Sequence, residues 1–196
     1  MVATKEAGQG VRTMRVFVGI ALKEKEKEKL FQLQNQLKQK TEKGRFTDLN
    51  NFHLTLQFIG EVSSEEVRQL KENITMVSKK IDPFDLQFDQ MGQFDKKGKK
   101  VMWIGLKMQP ALFQLHDLVI KEIAKQTNRL IENKSYIPHI TLGRGIVLKE
   151  EAQHTKILEQ SAHHFTAENI TLFESTRVNG RLAYLPVLQK DLQNQL

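Results

Sequence analysis

Residues 53–56 read HLTL and residues 139–142 read HITL. Each tetrapeptide is a histidine, an aliphatic residue, a threonine and a leucine, and the second begins 86 positions after the first. The chain has six histidines in 196 residues, so one short word uses two of them, one in each half. Side chains alternate between faces along a strand. That alternation groups His53, Thr55 and Gln57 against Leu54, Leu56 and Phe58, and His139, Thr141 and Gly143 against Ile140 and Leu142. A single copy is an ordinary half-buried strand with a polar wet face. The pair is not ordinary. It arises on the order of once in ten thousand random orderings, and an about hundredfold discount for choosing the pattern after seeing it leaves it beyond chance.

The chemistry of the repeated residues is specific. Histidine gives or takes a proton near neutrality, and two imidazoles facing each other can serve one displacement as base and acid. Two threonine hydroxyls donate hydrogen bonds to an oxyanion without adding fixed charge. Phosphoryl transfer suits this set, because attacking and leaving oxygens lie roughly in line while the non-bridging oxygens need donors. Arg144, just after the second copy, is a candidate cation for the phosphate. A strained cyclic phosphate ester needs an activated water and a protonated leaving oxygen, but no metal. No H-E-x-x-H motif, carboxylate cluster near the repeats or P-loop occurs, so neither a metal nor a cofactor is expected.

Outside the repeats, "RVFVGIA" at 15–21 predicts a strand and 24–40 a helix with Leu30, Leu33 and Leu37 on one side. Ser63 and Glu66 form a capping-box pattern opening a helix with Val67, Leu70, Ile74 and Val77 inward. Strands are predicted at 84–88 and 101–106, and a helix from Pro110 buries Leu112, Leu115, Val119 and Ile123. A weak helix near 149–160 and strands near 164–174 and 182–188 complete an α+β order, one β-α-β unit with extra strands used twice. Residues 1–13 are expected to be a disordered leader, and 14–196 one bilobal domain.

Composition narrows the class. Apolar residues make up 39% and charged residues 27%, which fits a soluble globular chain and excludes a disordered one. No apolar run reaches the roughly 18 residues that cross a bilayer, and no signal peptide is legible. The absence of cysteine excludes disulfides and thiolate metal sites and agrees with the cytoplasm. A net charge of +7 favours a polyanionic partner, nucleic acid first, and "DKKGKK" at 95–100 concentrates part of it.

These residues resemble the RNA 2',3'-cyclic phosphodiesterase family, also called 2'-5' RNA ligases, within the two-histidine phosphoesterase superfamily. The likeness runs from Met14 to about Leu188 and includes "MRVFVGIAL", "LNNFHLTLQFIGEV", "VMWIGL", "YIPHITLGR" and "ITLFES". The resemblance implies two pseudo-symmetric lobes, each an antiparallel sheet with helices packed outside, facing across a central cleft. It implies that His53 and His139 are the catalytic pair, His53 as proton donor and His139 as proton acceptor, and that Thr55 and Thr141 hold the phosphate. The implied reaction is metal-independent hydrolysis of a 2',3'-cyclic phosphate to a 2'-phosphate, with reversible 2'-5' ligation in some members. The polar "GRFTDLNN" before the first repeat departs from the family pattern, which many members fill with a tryptophan and prolines. Two other readings stand beside this one, an RNA-terminus-binding module without turnover and a phosphodiesterase for 2'-5' oligonucleotides. Phe17 and Tyr136 are candidates for stacking a base at the cleft. The partners expected are RNA ends or nucleoside cyclic phosphates, with no membrane and the chain a monomer.

Overall fold

The computed structural model describes residues 13–96, 99–127, 135–149 and 162–193. The chain runs β1 (Met14–Ala21), α1 (Glu24–Gln39), β2 (Thr41–Phe46), a 3-10 turn (Leu49–Asn51), β3 (His53–Val62) and α2 (Ser64–Val77). Then follow β4 (Phe84–Lys96), β5 (Lys99–Leu106), α3 (Pro110–Thr127), β6 (His139–Leu148), β7 (His164–Ala167), β8 (Asn169–Val178) and β9 (Arg181–Asp191). Two antiparallel sheets result, a four-stranded one in the order β3-β1-β8-β9 and a five-stranded one in the order β2-β6-β5-β4-β7. This is the expected α+β architecture of two lobes. Setting β2 aside, β3-β1-β8-β9 and β6-β5-β4-β7 correspond strand for strand, with a repeat tetrapeptide opening the first strand of each.

The helices form where the apolar spacing predicts. Ser63 Oγ accepts from the Glu66 amide while the Ser63 amide donates to Glu66 Oε2 at 2.7 Å, so the capping box that starts α2 is complete. Leu30, Leu33 and Leu37 of α1, Val67, Leu70, Ile74 and Val77 of α2, and Leu112, Leu115, Val119 and Ile123 of α3 are all buried. One apolar cluster takes in these residues together with Val16, Val18, Leu54, Leu56, Ile140 and Leu142 from both sheets. Burying one such aliphatic side chain contributes about 1.5–3 kcal/mol. The aliphatic halves of the two tetrapeptides therefore anchor the strands that carry the histidines.

Two features differ from the sequence reading, and a third is not addressed by it. β2 is a strand, although "TEKGRF" carries no apolar alternation; four of its six residues are exposed, because it is an edge strand added to β6. The expected single strand near 164–174 breaks at Glu168 into β7, which joins the five-stranded sheet, and β8, which joins the other. Glu26, in the charged run opening α1, is buried and its carboxylate lies 3.5 Å from His163 Nε2. Residues 1–12 of the leader expected at 1–13, residues 150–160 of the weak helix expected near 149–160, and Lys97 and Gly98 at the centre of the basic turn lie outside the described residues.

Candidate active site

Both repeats hold their histidines in the same way. His53 stands opposite Ala21 on β1, and His139 opposite Gly105 on β5, so each ring has a small neighbour on the adjacent strand. His53 Nδ1 lies 2.7 Å from the Asn51 carbonyl, and His139 Nδ1 lies 2.7 Å from the Ile137 carbonyl. A carbonyl only accepts, so Nδ1 of each ring carries the hydrogen and Nε2 of the neutral ring keeps its lone pair. Thr55 Oγ1 sits 2.9 Å from His53 Nε2 and donates to it in that state. Aromatic walls fix the rings: Phe17 at 4.7 Å and Tyr184 at 4.9 Å between centroids for His53, Phe94 at 5.0 Å and Trp103 at 5.8 Å for His139.

Each repeat strand also bulges at the last leucine of its tetrapeptide. Thr55 pairs with Gly19 but Gln57 with Val18, leaving Leu56 unopposed; Thr141 pairs with Trp103 but Gly143 with Met102, leaving Leu142 unopposed. A bulge adds one residue and turns the following side chains over. Strict alternation would bury Phe58 and Arg144, each three residues past its threonine. With the bulge, Phe58 is 61% exposed with its ring 5.6 Å from Phe17, and Arg144 Nη2 reaches 3.5 Å from Thr141 Oγ1. The grouping of Phe58 with the buried Leu54 and Leu56 is thereby corrected.

A cavity of about 370 Å³ joins the two lobes beside His53; His139 and Thr55 are not among its described lining residues. Its lining includes His53 from the first, Thr141 and Arg144 from the second, and Tyr184 and Leu182 from β9. The polar segment before the first repeat contributes Arg45, Phe46, Thr47, Asp48 and Asn51, so "GRFTDLNN", which departs from the family pattern, is a wall of the cavity. Asn51 links several parts: its carbonyl takes His53 Nδ1–H, its Nδ2 donates to Leu182 O at 2.9 Å, and its Oδ1 accepts from the Tyr184 amide at 3.0 Å. β6 is clamped from the other side by the buried Gln34, whose Nε2 donates to Leu142 O at 2.9 Å and Thr47 O at 2.7 Å.

The electrostatics follow from burial and charge. Desolvation, with Arg144 and His139 adding repulsion, pushes His53 down to about 4 against the opposing bond to Asn51. Desolvation first, and Arg144 as well, lowers His139. His53 feels the charge of both Arg144 and His139, although its strand and theirs begin 86 positions apart in the sequence. Among the described residues no group of three or more His, Cys, Asp or Glu comes together as a metal site requires.

Two of the sequence candidates are corrected. Phe17 is 1% exposed, stacked on Phe173 at 5.0 Å and enclosed by His53, Phe58 and Tyr184, so it supports the histidine and has no free face for a base. Tyr136 has its ring stacked on His116 at 4.0 Å, and its hydroxyl donates to Thr55 O at 3.0 Å. It ties the approach to the second repeat onto the first and is a strut, not a stacking platform. Sequence reading missed Asn51, Tyr184, Arg45, Arg177 and Arg181. The last two flank the Asn179–Gly180 turn of the β8–β9 hairpin, whose positive φ angles of 50° and 77° mark a tight left-handed turn.

Two sheets facing across a cleft, each offering an H-x-T strand, define the two-histidine phosphoesterase class of fold. Within that class, residues 35–179 match the 2'-5' RNA ligase superfamily, and the chain belongs to it. It is 30% identical over 149 residues to the RNA 2',3'-cyclic phosphodiesterase of Escherichia coli, covering 74% of this chain and 78% of that protein. It is 27% identical over 174 residues to the protein of the same name from Methanocaldococcus jannaschii, covering 83% and 92%. Among solved structures, E. coli LigT complexed with 3'-AMP superposes with a TM-score of 0.73 at 25% identity, over 92% of this chain and 99% of that one.

Proposed function

We propose that this chain hydrolyses 2',3'-cyclic phosphates at RNA ends or on nucleosides to 2'-phosphates, without a metal, using His139 as base and His53 as acid. The observation that carries the reading is the matched pair of imidazoles, each with Nδ1–H bonded to the carbonyl two residues back, which makes Nε2 the basic nitrogen of each neutral ring. Its support from relatives is that the similar proteins of E. coli and M. jannaschii bear the name RNA 2',3'-cyclic phosphodiesterase.

In the reaction the substrate phosphate sits between Thr55 and Thr141, with Arg144 offsetting its charge. His139 takes a proton from water through Nε2 as the water oxygen attacks phosphorus. His53, protonated at Nε2, gives its proton to the departing 3'-oxygen, and the ring opens to a 2'-phosphate. The larger depression falls on His53, so its protonated form is the stronger acid; His139 is the better base. An approaching phosphate anion raises both, which lets one proton enter a pair that is neutral in the empty cleft. With a 5'-hydroxyl attacking phosphorus in place of water, and the 3'-oxygen again leaving with the proton from His53, the same groups form a 2'-5' linkage. A monomer in the cytoplasm fits this chemistry, and no helix among the described residues is long and apolar enough to cross a membrane.

The test is hydrolysis of a nucleoside 2',3'-cyclic phosphate in chelator. His53→Ala and His139→Ala are each expected to cost at least about 10²–10⁴-fold in kcat. Full activity in either variant removes the mechanism. Tight binding of the cyclic end with no product from the intact protein favours a binding module instead. Faster cleavage of 2'-5' oligonucleotides than of any cyclic phosphate changes the substrate but not the site.

A further inference from the structure

The cavity carries more positive charge than the scissile phosphate calls for. Arg45 from β2, Arg144 from β6, and Arg177 and Arg181 from the β8–β9 hairpin all line it, and Asp48 is the one carboxylate among its described lining residues. A nucleoside 2',3'-cyclic phosphate bears one ionised phosphoryl oxygen, which Arg144 alone offsets. Of the remaining three guanidiniums, Asp48 matches one. Two positive charges are left without a carboxylate among the cavity's described lining residues, and their exposed guanidiniums face solvent where an anionic ligand can reach them.

One of these arginines, Arg177, is linked through the hairpin to the strand that carries His53. Arg177 Nη1 donates to Gly180 O at 2.8 Å, which folds its side chain back over the hairpin turn. Arg177 pairs with Leu182 across the hairpin, and Leu182 O is the acceptor for Asn51, whose own carbonyl orients His53. Asn51 thereby links the hairpin to the His53 ring. The guanidinium fork matches phosphate oxygens two at a time, a geometry lysine does not supply.

We propose that the Arg45, Arg177 and Arg181 wall is a subsite for a second phosphate of the substrate. Resting on the phosphodiesterase reading above, this makes the preferred substrate a 2',3'-cyclic end that carries at least one more phosphate, not a bare nucleoside cyclic phosphate. The second phosphate has two sources, an internal phosphodiester of an oligonucleotide or a 5'-phosphate on the same nucleotide.

The experiment measures kcat/KM on three substrates: a nucleoside 2',3'-cyclic phosphate, its 5'-phosphorylated form, and a dinucleotide ending in the cyclic phosphate. It uses the intact chain, the Arg177→Ala/Arg181→Ala double variant and the corresponding double lysine variant. A ratio between substrates read on one protein sample does not depend on how much of that sample is folded. For the intact chain at least one substrate with a second phosphate is expected to exceed the nucleoside 2',3'-cyclic phosphate by about tenfold or more, the worth of a charge-assisted contact. The alanine variant brings that ratio close to one, and the lysine variant keeps part of it. An advantage for the dinucleotide alone identifies the internal phosphodiester as the second phosphate; an advantage for both substrates identifies any phosphate within reach. Equal kcat/KM on all three substrates, or an advantage that survives double alanine substitution, overturns the proposal. No turnover of any substrate by the intact chain contradicts the phosphodiesterase reading itself.

Discussion

His53 shows how a single side chain links pH to both stability and chemistry. Its imidazole is driven down to about 4 by desolvation and by Arg144 and His139, while the unfolded chain keeps the ordinary 6.5. Between these values the unfolded state binds the extra proton, so the stabilisation is complete above about pH 6.5 and is lost as pH falls toward 4. The loss amounts to about 2–3 kcal/mol between pH 7 and pH 4.5, on roughly 1.4 kcal/mol per pKa unit. Urea unfolding of the wild type and of His53→Gln at the two pH values checks this: the variant is expected to lose less stability on acidification, and an equal loss contradicts it. The assigned roles also differ in a measurable way. An aryl phosphodiester with a good leaving group needs no proton on departure, so His53→Ala is expected to retain far more activity on it than His139→Ala. Equal losses on that substrate contradict the acid and base assignment.

At the scale of the element, β1 and β3 meet where no side chain fits. A Cβ on Gly19 would lie 2.6 Å from the Leu54 carbonyl oxygen, between the two reactive residues of the first repeat. Gly19→Ala is expected to push β3 outward, costing about 1–3 kcal/mol in stability. It should also lower kcat, since small misplacements of reacting groups are expensive. Unchanged melting temperature and kcat would show that the strands accommodate the methyl group. Strand identity was well marked in the sequence where one face is buried, as in 53–56 and 139–142. It was poorly marked for β2, which is an edge strand with most side chains in water, and for the 164–174 run, where nothing local shows that neighbouring strands enter different sheets. The exposure of Phe58 was hidden because bulges at Leu56 and Leu142 reverse a period that local reading must assume constant.

Across the whole molecule the two lobes are interleaved, which is why the histidine pair was legible in the sequence and the cavity wall was not. The repeat announces itself twice in the same letters. Arg177, Arg181, Tyr184 and Asn51 meet only because β8 and β9, late in the chain, pair beside β1, its first strand, and because β2 from the first half completes the sheet of the second. No local period encodes that meeting. The central claim is that the His53 and His139 rings, one from each lobe, act on one phosphate. Its most direct test follows both imidazoles by nitrogen-15 NMR while a nucleoside 2'-monophosphate, the proposed product, is added. A dianion held between them favours the protonated form of each ring, so both Nε2 signals are predicted to shift together and both pKa values to rise. If one ring responds and the other keeps its unbound titration, the two histidines do not share a phosphate.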